Sequence, residues 1–282
     1  MRLERIKDPG DWNRSLSELT KSLFFRSEWY EVFKTPWKKN LLLKLENCFL
    51  PLQLNLVTRT AFSGPWGSYG GPVGDFDLSE VIIKKAKREL LLSRIFIHSE
   101  KDLKLSSLNF FVEKNYSVIV NLDNLESIMK RLHENRRRNL KKALEGGFYF
   151  EVVRGEEGVK RYVKLLRRTL KERRSYKFHK ISLFKKLAKL NEALFCFSGK
   201  EHDESGALIL EISPDTIFYW HGVNSKEALN LHIGDFLHFS IIEYGLKRGF
   251  KFYNLGASPH EELLKYKLSW GGEGKIIYTY RV

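Results

Sequence analysis

The chain has 282 residues, 43% of them apolar and 20 of them phenylalanine, enough to fill two ordinary cores or one large one. Its 49 basic side chains against 34 acidic ones leave a formal charge of +15, which points to an anionic partner (RNA, a nucleotide or an acidic membrane surface) over the charge-rich surface of a heat-stable protein, because the cations cluster. Cys48 and Cys196 sit in apolar, strand-like runs without a Cys or His at metal spacing, residues 1–12 lack the apolar run of a secretory signal, and the stretch 41–57 is broken by Lys44, Glu46, Pro51 and Asn55. Core cysteines, no membrane span and a cytoplasmic protein are therefore expected.

In chain order, Ser27 can cap a helix over 27–33, with Glu28 at its positive end. Residues 41–45 and 48–54 read as a hairpin around Glu46 and Asn47. Five glycines and two prolines in residues 62–74 exclude helix and regular strand; this is a structured loop in which Tyr69 and Trp66 either line a ligand or belong to a tight turn. A helix over 78–92, a strand over 93–97, a short helix or loop over 102–112 and a strand over 116–122 close the first half.

Residues 125–144 carry a helical apolar stripe that lapses completely between Leu132 and Leu140, through His-Glu-Asn-Arg-Arg-Arg-Asn. Either two helices meet there or that section faces something other than core. Arg136, Arg137, Arg138, Lys141 and Lys142 are one-signed, which favours an anion such as phosphate over a merely solvated face. A strand over 148–153 precedes a helix over 155–174, apolar at Val159, Tyr162, Val163, Leu166 and Leu170 and almost purely basic outside. A helix from 182 and a strand over 193–198 follow, with a turn over 200–204.

The last third is the most patterned. Residues 206–213 and 216–222 form a hairpin around Ser213, Pro214 and Asp215; residues 228–247 read as one helix stopped at Gly249; residues 252–255 form a strand parallel to the preceding one because a helix joins them. Leu264-Lys265-Tyr266-Lys267-Leu268 and a strand over 275–281 complete the pattern. Tyr219, His221 and Asn224 lie on or just after the central strand, His221 being either a proton acceptor or a hydrogen-bonded structural histidine. The eight histidines show no HxH or HExxH spacing, and His98 with Asp102 lacks further ligands, so no metal site is expected.

Asn254-Leu255-Gly256 followed by Tyr266-Lys267, the run Lys141-Lys142-Ala143 before a glycine, Thr169-Leu170-Lys171-Glu172-Arg173 and the turn Tyr69-Gly70-Gly71-Pro72 together resemble the FemAB and FemX family of aminoacyltransferases and the related BioF2-like acetyltransferase domain of the GNAT superfamily. Arg174 departs from the pattern, standing where relatives often have His or Gly. The resemblance implies an α/β (α+β) fold of two tandem GNAT-like acyltransferase domains, with mixed sheets flanked by helices. The divisions expected are 1–122 and 123–282, with the strand 275–281 packing on the first domain.

By the same resemblance, the chain transfers an aminoacyl group from aminoacyl-tRNA to an amine of a peptidoglycan-precursor-like acceptor, with Lys267 and Tyr266 at the transfer site. Lys267 would act as a cation beside the developing oxyanion or as a base; read without the family it is an ordinary strand-edge lysine. Arg136, Arg138, Lys141 and Arg173 would hold tRNA or a phosphate-bearing nucleotide- or lipid-linked acceptor, with Tyr69, Tyr219, His221 and Asn224 lining the groove and a peripheral membrane contact alongside. No bound cofactor is expected. Acyl-CoA is the alternative donor, onto an amino sugar or peptide, but Leu231 and Phe236 flank Gly234 where a pyrophosphate loop needs polar and small residues, and Asp235 adds a negative charge there. A non-catalytic RNA-binding or scaffold protein on the same fold is the third reading.

Overall fold

The structure, a computed structural model, describes residues 1–106, 110–172, 181–200 and 202–282. In chain order it runs β1 (Glu4–Ile6), α1 (Pro9–Leu16), α2 (Ser27–Val32), β2 (Lys38–Leu45), β3 (Cys48–Asn55), β4 (Thr60–Ser63), β5 (Val73–Gly74), α3 (Ser79–Glu89) and β6 (Arg94–Ser99). β7 (Phe111–Asn121) leads into α4 (Leu125–Arg131), α5 (Glu134–Glu145), β8 (Tyr149–Val153), α6 (Gly155–Glu172), α7 (Ile181–Leu187), β9 (Ala193–Lys200), β10 (Asp203–Ser213) and β11 (Thr216–Asn224). The chain ends α8 (Lys226–Asn230), α9 (Ile233–Lys247), β12 (Phe252–Ala257), α10 (Glu261–Leu268) and β13 (Glu273–Arg281). It divides into two compact units, one of residues 1–116 with 275–282 and one of residues 117–274.

In the first unit the strands lie in the order β1-β2-β3-β4-β6-β13, with β5 beside β3. β13 runs antiparallel to β6, pairing Tyr278 with Ser99 and Arg281 with Phe96. Alternate residues of β2 and β3, Leu41, Leu43, Leu45, Leu50 and Leu52, pack with Ile82, Ile83 and Ala86 of α3 as one core. The glycine-rich loop folds onto itself: a Cβ on Gly70 would lie 2.4 Å from the backbone nitrogen of Gly64. Tyr69 is buried, with its ring 6.0 Å from Phe24. Gly64 and Gly70 thus serve the loop's own tight turn, and Tyr69 is a core residue of this unit.

In the second unit the order is β7-β12-β11-β10-β9-β8. Leu194, Cys196, Ala207 and Ile209 face α9, while the alternate Phe195 and Phe197 pack against Tyr162 of α6. α5 and α9 therefore cover one face of this sheet and α6 the other, which puts the two basic helical surfaces on opposite sides.

The lapse in the stripe over 125–144 marks a junction of two helices. α4 is capped by Asn124, whose side chain accepts from Ser127 N at 2.9 Å, and α5 starts afresh at His133. The single helix expected over 228–247 is also two. Ser225 caps α8, and His232, left-handed at φ 57°, breaks the run before α9. Both cysteines are buried and unbridged, and burial pushes the Cys48 thiol up to about 12.

Candidate active site

β11 and β12 pair in parallel only from Thr216–Phe218 to Phe252–Asn254; beyond Phe218 they part. On the α9 side of that opening lies a cavity of about 380 Å³ within the second unit, lined among others by Arg136, Tyr219, Asn224, Asp235, His238 and Lys267. Its size suits a small ligand or the end of a larger one.

Two irregularities shape the β11 wall. Leu208 of β10 pairs with His221 and Ile209 with Tyr219, so Trp220 is an extra residue in the strand. The bulge turns Tyr219 to the α9 side, where its ring lies 4.7 Å from His238. His221 goes to the other face, Nδ1 at 2.6 Å from the Tyr162 hydroxyl. Sequence alternation placed Tyr219 and His221 together; the structure separates them, and His221 does not line the cavity. Gly222 then makes room for Tyr219, whose hydroxyl would stand 1.5 Å from a Cβ there.

The Asn254-Leu255-Gly256 motif positions the lysine. Asn254 Oδ1 accepts from Gly256 N and from Ser117 Oγ, each at 2.8 Å, and Gly256 takes a left-handed φ of 72°. The chain turned this way offers two carbonyls to Lys267, whose Nζ donates to Gly256 O at 3.0 Å and Ala257 O at 2.6 Å. Lys267 belongs to α10, not to a strand edge; Glu261 and Glu262 open that helix and Lys265 and Lys267 close it, each matching its dipole. The lysine is 8% exposed. Burial alone pulls its pKa down from 10.5 to about 8, with no acid acting against the shift. Two of its three ammonium hydrogens are used, leaving one for whatever enters the cavity.

Tyr266, the neighbouring residue, also lines the cavity; burial pushes its hydroxyl up to about 12. The Arg136 guanidinium lies over its ring at 4.4 Å and over Trp270 at 5.3 Å. Arg136 also donates to Ser269 Oγ at 3.1 Å and forms an ion pair with Asp235, in which both side chains are almost wholly buried. Burial raises the Asp235 pKa and Arg136 opposes the rise. The charge expected to grip a ligand phosphate is met inside the protein, which makes Arg136 a structural wall of the cavity.

Arg138 and Lys141 are exposed on α5, with Arg138 bonded to Asn135 Oδ1 at 2.9 Å. Arg173 lies outside the described residues. Asn224 lines the cavity with its Oδ1 3.0 Å from where a Cβ on Gly234 would sit, so a side chain at 234 would crowd it. The structure thus brings together Lys267, Tyr266, Tyr219, Asn224 and Arg136, and leaves out Tyr69 and His221.

His238 was not among the expected residues. It lines the cavity from α9, and its Nδ1 lies 2.8 Å from the Tyr253 hydroxyl. Burial, with Arg136 and Lys267 nearby, pulls its pKa down to about 3, so the ring is neutral at ordinary pH. In the sequence it is one more residue of an apolar helix; only the meeting of α9 with β11 and β12 gives it a role. Among the described residues no group of three His, Cys, Asp or Glu side chains could hold a metal ion.

What this arrangement offers is a small apolar-walled space containing one buried cation without an acid partner, beside a neutral imidazole and the rings of Tyr219 and Tyr266. A buried ammonium so placed can stabilise negative charge on a carbonyl oxygen. In sequence, residues 130–268 match the family described as Acetyltransferase (GNAT) domain. The second unit is a GNAT-type acyltransferase domain. No curated protein matches the chain in sequence. In structure it is similar to FemX, with a TM-score of 0.73 at 14% identity, over 99% of this chain and 97% of that one. It is also similar to L-PGS from Bacillus licheniformis (TM-score 0.68, 17% identity, 97% and 91% covered). A tandem GNAT protein from the clavulanic acid biosynthesis pathway matches at TM-score 0.59 and 9% identity, over 99% and 98%. The chain accordingly has the α/β architecture of tandem GNAT proteins, and the cavity of its GNAT domain opens where β11 and β12 part.

Proposed function

We propose that the GNAT domain transfers an aminoacyl group from aminoacyl-tRNA to an amine of a peptidoglycan-precursor-like acceptor, in the cytoplasm. The observation that carries this reading is Lys267: a buried ammonium held by two backbone carbonyls at the parting of β11 and β12, opposed by no acid. The acceptor nitrogen attacks the ester carbonyl carbon, and charge gathers on its oxygen. The remaining hydrogen of Lys267 binds that oxygen, an interaction worth on the order of 3 kcal/mol in a dry site. The carbon–oxygen ester bond then breaks, the released ribose hydroxyl takes a proton, and the nitrogen gives one up.

The first turn of α9 supports a donor other than CoA. A pyrophosphate there needs bare backbone amides, yet this turn carries the buried carboxylate of Asp235, clamped by Arg136. α5, which lends Arg136 and Asn139 to the cavity, carries Arg137, Arg138, Lys141 and Lys142 on its exposed surface, a track for the phosphates of an acceptor stem. The acyl-CoA alternative is favoured by one finding, the match to a family described as acetyltransferases.

The test is binding of a labelled, charged tRNA pool near physiological salt with acetyl-CoA as competitor. Salt-sensitive binding that acetyl-CoA leaves unchanged is expected. Displacement by acetyl-CoA, or no tRNA binding with direct uptake of CoA, would transfer the assignment to the acyl-CoA reading.

A further inference from the structure

Among the described residues, the large apolar side chains most exposed, the terminal Met1 aside, are Leu91 at 77%, Val57 at 71% and Trp37 at 66%. They are far apart in sequence and meet on one edge of the first unit. Trp37 ends the turn before β2, Val57 lies in the turn between β3 and β4, and Leu91 follows α3 on the way to β6. The register pairs Lys38 with Asn55, Asn55 with Thr60 and Thr60 with Arg94, so the three turns leave adjacent strands side by side. At the usual strand spacing they span roughly 15 Å. Bonds across the turns fix them: Leu56 N to Trp37 O at 2.9 Å, Ser93 Oγ to Thr58 O at 2.7 Å, and Arg59 Nε to Leu91 O at 3.3 Å.

None of these side chains is covered by the described residues. Leu91 even occupies the left-handed region, at φ 50°, where a small polar residue or glycine is the easier choice. The surrounding charge is mostly positive. Lys39 and Arg94 are exposed around the tips, as is Arg88, which shares Glu89 with Lys85 at 3.8 and 3.4 Å, and Glu31 pairs with Lys34. Three apolar tips separated by Thr35, Thr58 and Ser93 offer far less contiguous area than the ~800 Å² per partner of a stable protein interface. They do suit a surface that takes each tip separately and attracts the cations between them.

We propose that this edge docks the protein on an anionic bilayer, with Trp37, Val57 and Leu91 entering the headgroup region and the flanking Lys and Arg side chains at the phosphates. The inference stands apart from the acyl-transfer chemistry and from its donor. The test uses the full chain and vesicles of phosphatidylcholine with or without phosphatidylglycerol. Cosedimentation with the anionic vesicles is expected, with a blue shift in tryptophan emission that the single variant Trp37→Phe lacks. The triple variant Trp37→Gln, Val57→Ser, Leu91→Asn keeps the charge unchanged and places asparagine at the left-handed position; its partitioning should fall ~tenfold or more, with an unchanged circular dichroism spectrum. Equal binding by the triple variant would mean that net charge alone holds the protein, and would overturn the proposal. So would the absence of wild-type binding, or light scattering that shows a self-association abolished by the same three substitutions.

Discussion

Replacing Lys267 with methionine should make the protein more stable and less active at once, and the balance should depend on pH in a calculable way. Lys267 is 8% exposed and its pKa falls from 10.5 to about 8 through burial alone. By linkage that difference corresponds to about 3 kcal/mol of cost in carrying the buried charge. Methionine fills similar volume without the charge but leaves the Gly256 and Ala257 carbonyls unbonded, each at about 1 kcal/mol. The net gain is about 1 kcal/mol at pH 7. The sign follows from proton counting. Below pH 8 both folded and unfolded lysine are charged and the full cost is present. Between pH 8 and 10.5 the unfolded chain binds more protons, so the wild type gains stability relative to the variant by about 1.4 kcal/mol per pH unit. The variant's advantage should therefore vanish near pH ~9 and reverse above it. Urea midpoints of both proteins from pH 6 to 9.5 measure this difference, and acyl transfer should fall ~100-fold in the same variant. A stability difference that stays flat across that range, or a variant that keeps the wild-type rate, would refute the reasoning.

Arg136→Ala strands the Asp235 carboxylate in its buried place and should cost about 3 kcal/mol of stability, whereas Arg136→Met with Asp235→Asn should recover most of it; thermal melts of the three proteins decide. His221→Phe should change the transfer rate less than ~2-fold, because that ring lies across the sheet from the cavity, while losing its bond to Tyr162 costs about 1 kcal/mol; a large rate loss would contradict the bulge at Trp220. The imidazole signals of His238, followed by NMR, should not titrate between pH 5 and 8, since its pKa is about 3. Arg138→Glu with Lys141→Glu should weaken charged-tRNA binding and flatten its salt dependence by at least ~2 in the log–log slope; unchanged binding would remove α5 from the donor track.

Much of this could be read from the chain because it rests on local pattern. The hairpin β10–β11, the crossover to β12 and the Asn254-Leu255-Gly256 and Tyr266-Lys267 motifs are contiguous, and they led directly to the cavity. What escaped depends on partners distant in sequence or on irregular backbone. The cluster Arg136 to Lys142 reads as one basic surface, yet Arg136 finds Asp235, 99 residues away, and becomes a wall. Period-two alternation puts Tyr219 and His221 on one face, and a single extra residue undoes it. Leu-Lys-Tyr-Lys-Leu alternates like a strand, but follows two acids suited to a helix start and forms the end of α10. A histidine at φ 57° divides α8 from α9 where a glycine would have announced the break.

The return of β13 to the first unit makes that unit discontinuous: residues 275–282 complete a unit whose other residues all come before residue 117. A ribosome adding 5–20 residues per second needs about 8–30 s to make the 158 residues between them. During that interval the edge of β6 has no partner, Ile95 lacks its two backbone bonds to Val282, and Asp102 and Leu103 wait for the Tyr280 hydroxyl. The half that emerges first is thus the half that finishes last, dependent on the GNAT domain to be synthesised before it can close. A deletion that stops at residue 274 leaves the chain of the second unit whole and removes the closing strand of the unit made from the other end of the sequence.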